Sequence, residues 1–249
     1  MIYVTGDTHG DYDWSKVNTK QFPLQRNLTK NDYLIITGDF GGVWDGGDID
    51  KYTQKFWNKK NFTTLFVDGN HENHDLLSSY PVTEWHGGKV HMISESIIHL
   101  MRGQIYDIDG YKILTLGGAQ SHDMWCRKEG KNWWKGELPT IDELYAFVDV
   151  IEANPQVDYV ITHDIPDHIQ DMVNPYGEYT HDRLSNFFEA VYDLIPFKRW
   201  YAGHYHLDVD FKERNVDKMV SILYNRVVEL TTGRQVNTTP PRTEIKKSI

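Results

Sequence analysis

Apolar residues in this chain come in short, dense runs separated by polar, glycine-rich segments, a spacing that predicts strands alternating with amphipathic helices. Strand-like runs cover 1–5, 33–38, 63–68, 96–101, 111–116, 158–162, 199–203 and 219–230, the last predicted as a hairpin turning near Asn225-Arg226. Helical spacing covers 48–59, 72–79, 140–153 and 180–193. Thr140 followed by Glu143 makes a capping-box start for the third helix. Thr238-Thr239-Pro240-Pro241 and the charged end predict one ordered domain over 1–236 and a flexible tail over 237–249.

Five of these runs end in residues that bind metals. Asp7 and His9 follow Ile2-Val4, Asp39 follows Leu34-Ile36, and Asn70 follows Leu65-Val67. His163 follows Tyr159-Ile161, and His204 with His206 follows Trp200-Ala202. In open α/β sheets ligands gather beyond the carboxyl ends of the strands, so residues far apart in sequence can converge there. Gly6, Gly38, Gly69 and Gly203 precede Asp7, Asp39, Asn70 and His204, letting the chain leave the strand sharply, with positive φ where needed. Thr162 before His163 breaks that rule. Carboxylate, imidazole and carboxamide groups without thiolate suit a divalent ion of hard or intermediate character, with manganese the first expectation and iron or zinc the next. Seven ligands exceed one ion, whereas two ions bridged by Asp39 would use them all.

Composition narrows the reading. The 249 residues fit a single domain, and no segment approaches the ~18 apolar residues of a membrane span. With no charged and apolar leader before Ile2, the expected location is the cytoplasm. Cys126 is the only cysteine, which excludes an intrachain disulfide, and it is expected to serve packing. A formal charge of −10 without a dense basic run argues against binding extended DNA or RNA but not a small nucleotide.

Gly6-Asp7-Thr8-His9-Gly10, Gly38-Asp39, Gly69-Asn70-His71-Glu72, Thr162-His163 and Gly203-His204-Tyr205-His206 resemble, in order and spacing, the five motifs of the calcineurin-like metallophosphoesterases. The resemblance implies an α/β fold, a four-layer α/β/β/α sandwich of two mixed β-sheets flanked by helices. It also implies that Asp7, His9, Asp39 and His206 hold one metal while Asp39, Asn70, His163 and His204 hold the other. The stretch from Leu116 to Ser121, with Trp133-Trp134 and Glu137, looks like a bacterial or phage branch. In the protein-phosphatase members the second motif continues to an aspartate and a phosphate-gripping arginine. Gly42 and Val43 stand in those places here.

The expected activity is hydrolysis of a phosphomonoester or phosphodiester on a small, nucleotide-like or diester substrate. Water between two such ions has its pKa lowered to roughly 7 in the best zinc cases and can attack phosphorus directly. Asn70 and His71 would contact substrate, and a protonated His71 would serve the leaving group, with Glu72, Asp75 or Asp123 orienting it. In the irregular stretch 121–138, Arg127 is the candidate replacement phosphate clamp, and the tryptophans are expected as core anchors. His74, His86, His91, His99, His122, His168 and His181 are expected to be structural. Alternatives are a protein serine/threonine phosphatase, a non-catalytic metal-binding interaction module of the same fold, and a polynucleotide nuclease, which wants a basic groove. Oligomeric state is not written in the sequence.

Overall fold

The computed structural model describes residues 1–212 and 217–244. Among them thirteen strands form two sheets. In chain order these are β1 Ile2–Thr5, β2 Tyr33–Ile36, β3 Thr63–Phe66, β4 Val82–Trp85, β5 Gly88–Ser94 and β6 Ile97–Leu100. There follow β7 Gln104–Ile108, β8 Tyr111–Leu116, β9 Tyr159–Thr162, β10 Arg199–Ala202, β11 Val209–Lys212, β12 Met219–Ile222 and β13 Val227–Glu229. One sheet has the order β13-β1-β2-β3-β6-β5-β4 and the other β11-β12-β10-β9-β8-β7. β1, β2, β3 and β6 run parallel, as do β8, β9, β10 and β12, while the outer strands are antiparallel.

Period-two alternation explains why the parallel strands are buried on both faces. In β2, Ile35 joins Val4, Leu65, Ile113, Ile161 and Tyr201 in the core between the sheets. Leu34 and Ile36 turn the other way, onto Trp57 of α1 (Asp48–Asn58) and Leu77 of α2 (His74–Ser79). Across the molecule, Val160 and Trp200 meet Phe147 of α3 (Ile141–Ala153), Ile169 of α4 (Asp167–Val173) and Phe188 of α5 (Arg183–Leu194). The architecture is therefore two mixed sheets flanked by helices. No helix among the described residues is long and apolar enough to cross a membrane.

Several expected boundaries move for local reasons. The capping box at Thr140 forms, with the Glu143 amide donating to Thr140 Oγ1 and the Thr140 amide to Glu143 Oε2. The helix expected from 180 starts at Arg183, because Asp182 accepts the amides of Leu184 and Ser185. The helix expected from 72 starts at His74, where Asn73 accepts the Leu76 amide. Strands β4, β5, β7 and β11 and helix α4 have no counterpart in the sequence reading. The β7–β8 turn did carry a signal, since Asp109 and Gly110 both have positive φ (53° and 80°), the demand that an Asp-Gly two-residue turn meets.

Two expectations about the C-terminal third are corrected. Residues 219–230 are not a hairpin: β12 pairs with β10 and β11, while β13 pairs with β1 in the opposite sheet. The chain crosses between sheets at Leu223–Arg226, where the buried Asp208 carboxylate accepts the amides of Tyr224, Asn225 and Arg226. The flexible tail expected from 237 is also corrected. Asn237 is buried and accepts the Val227 amide, and the Arg242 amide donates to Asp208. Residues 245–249 of that expected tail lie outside the described residues.

Asp208 thus holds four amides drawn from the crossover and the C-terminal segment. An asparagine would leave one acceptor oxygen and turn an NH2 towards two of these donors. Asp208→Asn should therefore cost about 2–3 kcal/mol of stability, measured as a shift in the urea midpoint. A loss under about 0.5 kcal/mol, the size of an ordinary surface substitution, would refute this role.

Candidate metal centre

Asp7, Asp39, Asn70, His163 and His204 all stand just beyond the carboxyl ends of β1, β2, β3, β9 and β10, so the centre straddles the two sheets at one end of the sandwich. Close approach of these loops is possible because their glycines carry no side chain. A Cβ on Gly38, whose φ is 103°, would fall 2.1 Å from the His163 ring, and one on Gly69 would fall 2.1 Å from Asp39 Oδ1. Positive φ is mostly taken by the functional residues themselves. His9 (42°), Asp39 (49°), His204 (67°) and His206 (50°) occupy the left-handed region, at a cost on the order of 1–2 kcal/mol each. Thr162, the residue without a glycine, is fixed by its hydroxyl, which donates to the Asp164 carbonyl and accepts from the Trp200 indole.

The hydrogen bonds around the cluster decide which atoms point inward. His9 Nδ1 donates to Asp13 at 2.7 Å, leaving Nε2 3.1 Å from Asp39 Oδ2. His163 Nδ1 donates to the Thr37 carbonyl at 2.6 Å, leaving Nε2 3.2 Å from Asn70 Oδ1 and 3.5 Å from Asp39 Oδ1. Asn70 gives its NH2 to Ser121 Oγ, and the Ser121 hydroxyl donates to the buried Glu137, so the amide oxygen is the atom turned into the cluster. The two Asp39 oxygens therefore face two different imidazoles. Asp7 Oδ1 accepts the His204 amide, whereas Asp7 Oδ2 is buried 3.2 Å from His206 Nε2 with no hydrogen-bond partner.

Lone pairs facing lone pairs in a buried space require a cation or protons. Three overlapping groups, Asp7/His9/His206, His9/Asp39/His71 and Asp7/Asp39/His163, bring one ligand atom per residue close enough to share an ion. Oxygen and imidazole donors without thiolate fit a divalent metal. Without one, protons take its place. Burial opposes charge on His9, but hydrogen bonds to Asp13 and Asp39 raise it to about 11. Burial likewise opposes charge on His163, yet the Asp39 and Asp7 carboxylates and the Thr37 carbonyl raise it to about 10. Both carboxylates sit below their usual range despite burial, held down for Asp7 by His206 and His163 and for Asp39 by His163 and His71.

His204 belongs to a different contact from the other six. Its ring lies 5.0 Å from that of His163, and its Nε2 meets His122 Nε2 at 2.9 Å. His122 was expected to be structural, so this partnership went unseen; its only sequence signal is its place beside Ser121 in the irregular stretch. Burial pushes His122 down to about 4 and His204 well below its ordinary value, so the pair is neutral and one ring donates to the other.

The expected orienters of His71 are replaced. Glu72 is fully buried and accepts the Phe40 and Gly69 amides, bolting the second loop to the third, and burial with the nearby Asp39 pushes it up to about 8. Asp75 is exposed in the first turn of α2. Asp123 acts one step removed: it accepts from both Nε and Nη2 of Arg127, whose Nη1 lies 3.1 Å from His71 Nδ1. A guanidinium can only donate, so that nitrogen accepts. Burial, with the guanidinium opposing Asp39, holds His71 below its ordinary value, against the protonated state expected from the sequence.

The tryptophans divide. Trp134 is buried edge-on against Trp44, as an anchor, while Trp125 is 88% exposed and Cys126, expected as packing, is exposed too. Val43, in place of an arginine, is wholly buried in the core beneath α1.

Two curated relatives are similar to this chain in sequence. Lariat debranching enzyme A of Xenopus laevis is 29% identical over 137 residues, covering 49% of this chain and 24% of its own length. A lariat debranching enzyme of Caenorhabditis briggsae is 24% identical over 246 residues, covering 83% of this chain and 46% of its own. The chain thus spans less than half the length of either relative. Among solved structures, a phosphopantetheinyl hydrolase of Mycobacterium tuberculosis is 12% identical with a TM-score of 0.41, over 90% of this chain and 89% of that one. The family of calcineurin-like phosphoesterases matches residues 1–208, and with the strand-end acceptor cluster in the same span this chain belongs to that metal-dependent family.

Proposed function

We propose that this protein is a phosphoesterase that holds two divalent metal ions, manganese in first place with iron or zinc next, and hydrolyses a small phosphodiester or nucleotide-like ester. Asp7, His9, Asp39 and His206 would hold one ion, and Asp39, Asn70, His163 and His204 the other. When bound, such ions supply a nucleophile active at neutral pH and neutralise charge on the phosphoryl oxygens. One observation carries the reading: buried acceptors from five loops converge with Asp7 Oδ2 unpartnered, an arrangement that makes no sense as packing.

The chain's own residues supply binding and orientation. Asp13 and the Thr37 carbonyl fix the His9 and His163 rings by Nδ1, turning Nε2 of each towards Asp39. Arg127, already at the centre through His71, is the group that grips a phosphoryl oxygen in place of the missing second-motif arginine. A neutral His71 donates a hydrogen bond to the same phosphoryl group from its protonated ring nitrogen. With Val43 buried where a clamp would stand, the site has less to hold a dianionic monoester, which favours diesters over phosphoproteins. The intact acceptor set disfavours a non-catalytic module, and the net charge of −10 disfavours a polynucleotide nuclease.

Asp39→Asn should leave a folded protein holding fewer than two metals per chain by elemental analysis and without turnover, because an amide cannot supply an anionic bridge. Full metal content with wild-type turnover would sink the two-metal assignment.

Loading the metal-free protein at pH 7 should release one proton each from His9 and His163, since both are protonated below about 11 and about 10 in its absence. An indicator in weakly buffered solution reads the release. Affinity should correspondingly weaken as pH falls, and uptake without proton release would place the ions elsewhere.

His71→Ala should retain both metals and slow turnover by about 10²–10³, the usual worth of one transition-state hydrogen bond. The loss should be similar for nitrophenolate and alkoxide leaving groups. A loss confined to the poor leaving group would instead restore His71 as the general acid.

A further inference from the structure

Beside the acceptor cluster lies a cavity of about 990 Å³ whose inner end is formed by His9, His71 and His206. Its walls come from the segment after β1 and from Trp44 through the first turns of α1, with Tyr224 arriving from the crossover between the sheets. Four aromatic side chains line it: Tyr12, Trp44, Tyr52 and Tyr224. Tyr12 is 86% exposed and Tyr52 58% exposed, two of five exposed aromatic side chains among the described residues. A single exposed tyrosine is unremarkable, but two opening onto one cavity at the edge of a reaction centre form a wall. Tyr224 stacks on His206 at 4.6 Å and 25°, joining that wall to the acceptor cluster.

Away from the histidines of its inner end, the charged residues that line the cavity have one sign. Asp11, Asp13 and Asp48 line it, Asp13 bonded to His9 and Asp48 3.5 Å from the exposed Lys51, and no lysine or arginine is among the lining residues described. Beyond the phosphoester itself, a second phosphate or a carboxylate on the substrate would meet three lining carboxylates and no lining lysine or arginine. A flat ring would meet π faces, each worth about 1–3 kcal/mol for a stacked base, and a cationic ring would gain cation–π attraction as well.

We propose that this cavity binds the organic group of the substrate as a planar aromatic ring, that it prefers a cationic ring to a neutral one, and that it rejects an anionic one. The proposal rests on the phosphoesterase reading only in assigning the ring to the substrate. It sets the specificity of the centre: the phosphoester is held at the acceptor cluster while the cavity excludes further negative charge on the same molecule.

The test is titration of the metal-loaded full chain with benzyltrimethylammonium, benzyl alcohol and benzenesulfonate, followed by tryptophan fluorescence or NMR shifts. These probes share a ring, differ in charge and lack strong metal-binding groups. The cation should bind about tenfold or more tighter than the anion, with the alcohol between them. Tyr52→Ala should weaken the cation and the alcohol severalfold. Asp48→Asn should narrow the gap between cation and anion more than it moves the alcohol. Both substitutions are on exposed side chains, so folding is not at stake. Equal affinities for cation and anion, or an unchanged Tyr52→Ala, would overturn the proposal. Turnover of bis(4-nitrophenyl) phosphate is measured in parallel. Turnover without ring selectivity sinks the cavity assignment alone, and ring selectivity without turnover of any phosphoester supports the cavity and sinks the phosphoesterase reading.

Discussion

Acceptor atoms facing acceptor atoms in a largely buried cluster are the constraint on which the rest of this structure depends. Asp7, Asp39, Asn70, His9 and His163 each turn a ligand atom inward, and Asp7 Oδ2 faces only the His206 imidazole. Such a cluster repels itself unless positive charge is present, and His9 and His163 answer by taking up protons far above their ordinary range. A divalent ion answers the same demand at fixed positions and leaves those imidazoles neutral.

The surrounding structure can be understood as the means of keeping that arrangement from relaxing. Four residues of the cluster stay in left-handed backbone, strain that persists only when neighbours over-determine it. Glu72 clamps two of the loops through their amides, and the Ser121–Glu137 pair prevents the Asn70 amide from flipping. Lys16, wholly buried, donates to the carbonyls of Gly6, Asp7 and Tyr224, tying the first loop to the crossover. Behind these contacts two sheets bury their parallel strands on both faces, so the strand ends share one rigid base.

Electrostatics divide the labour between the two sides of the centre. Arg127 approaches from the 121–138 segment, anchored by Asp123, and meets His71 of the loop after β3, while the first-strand loop and α1 approach with tyrosine rings and carboxylates. A guanidinium thus stands on one side of the cluster, and carboxylates with aromatic rings on the other. A whole-chain charge of −10 is compatible with binding an anion because the field that matters is local.

Local patterns in the chain were enough to locate the main parallel strands, the capping box at Thr140 and the five loops carrying chemistry, because each depends on residues adjacent in sequence. A run such as Leu34-Ile35-Ile36 announces a doubly buried strand, and a polar residue just after it announces a strand end. Other features depend on which segments meet in space, and no local pattern encodes that. The exposed, weakly apolar strands β4 and β11, the division of β12 and β13 between sheets, and the docking of 237–242 are decided by long-range partners such as Asp208. Glu72 sits next to His71 in the chain yet bonds to amides of other loops, while His71 meets Arg127 from 56 residues away and His204 meets His122 from 82. Sequence determines what each residue can donate or accept; only the closed fold, by excluding water, determines which partner it must find.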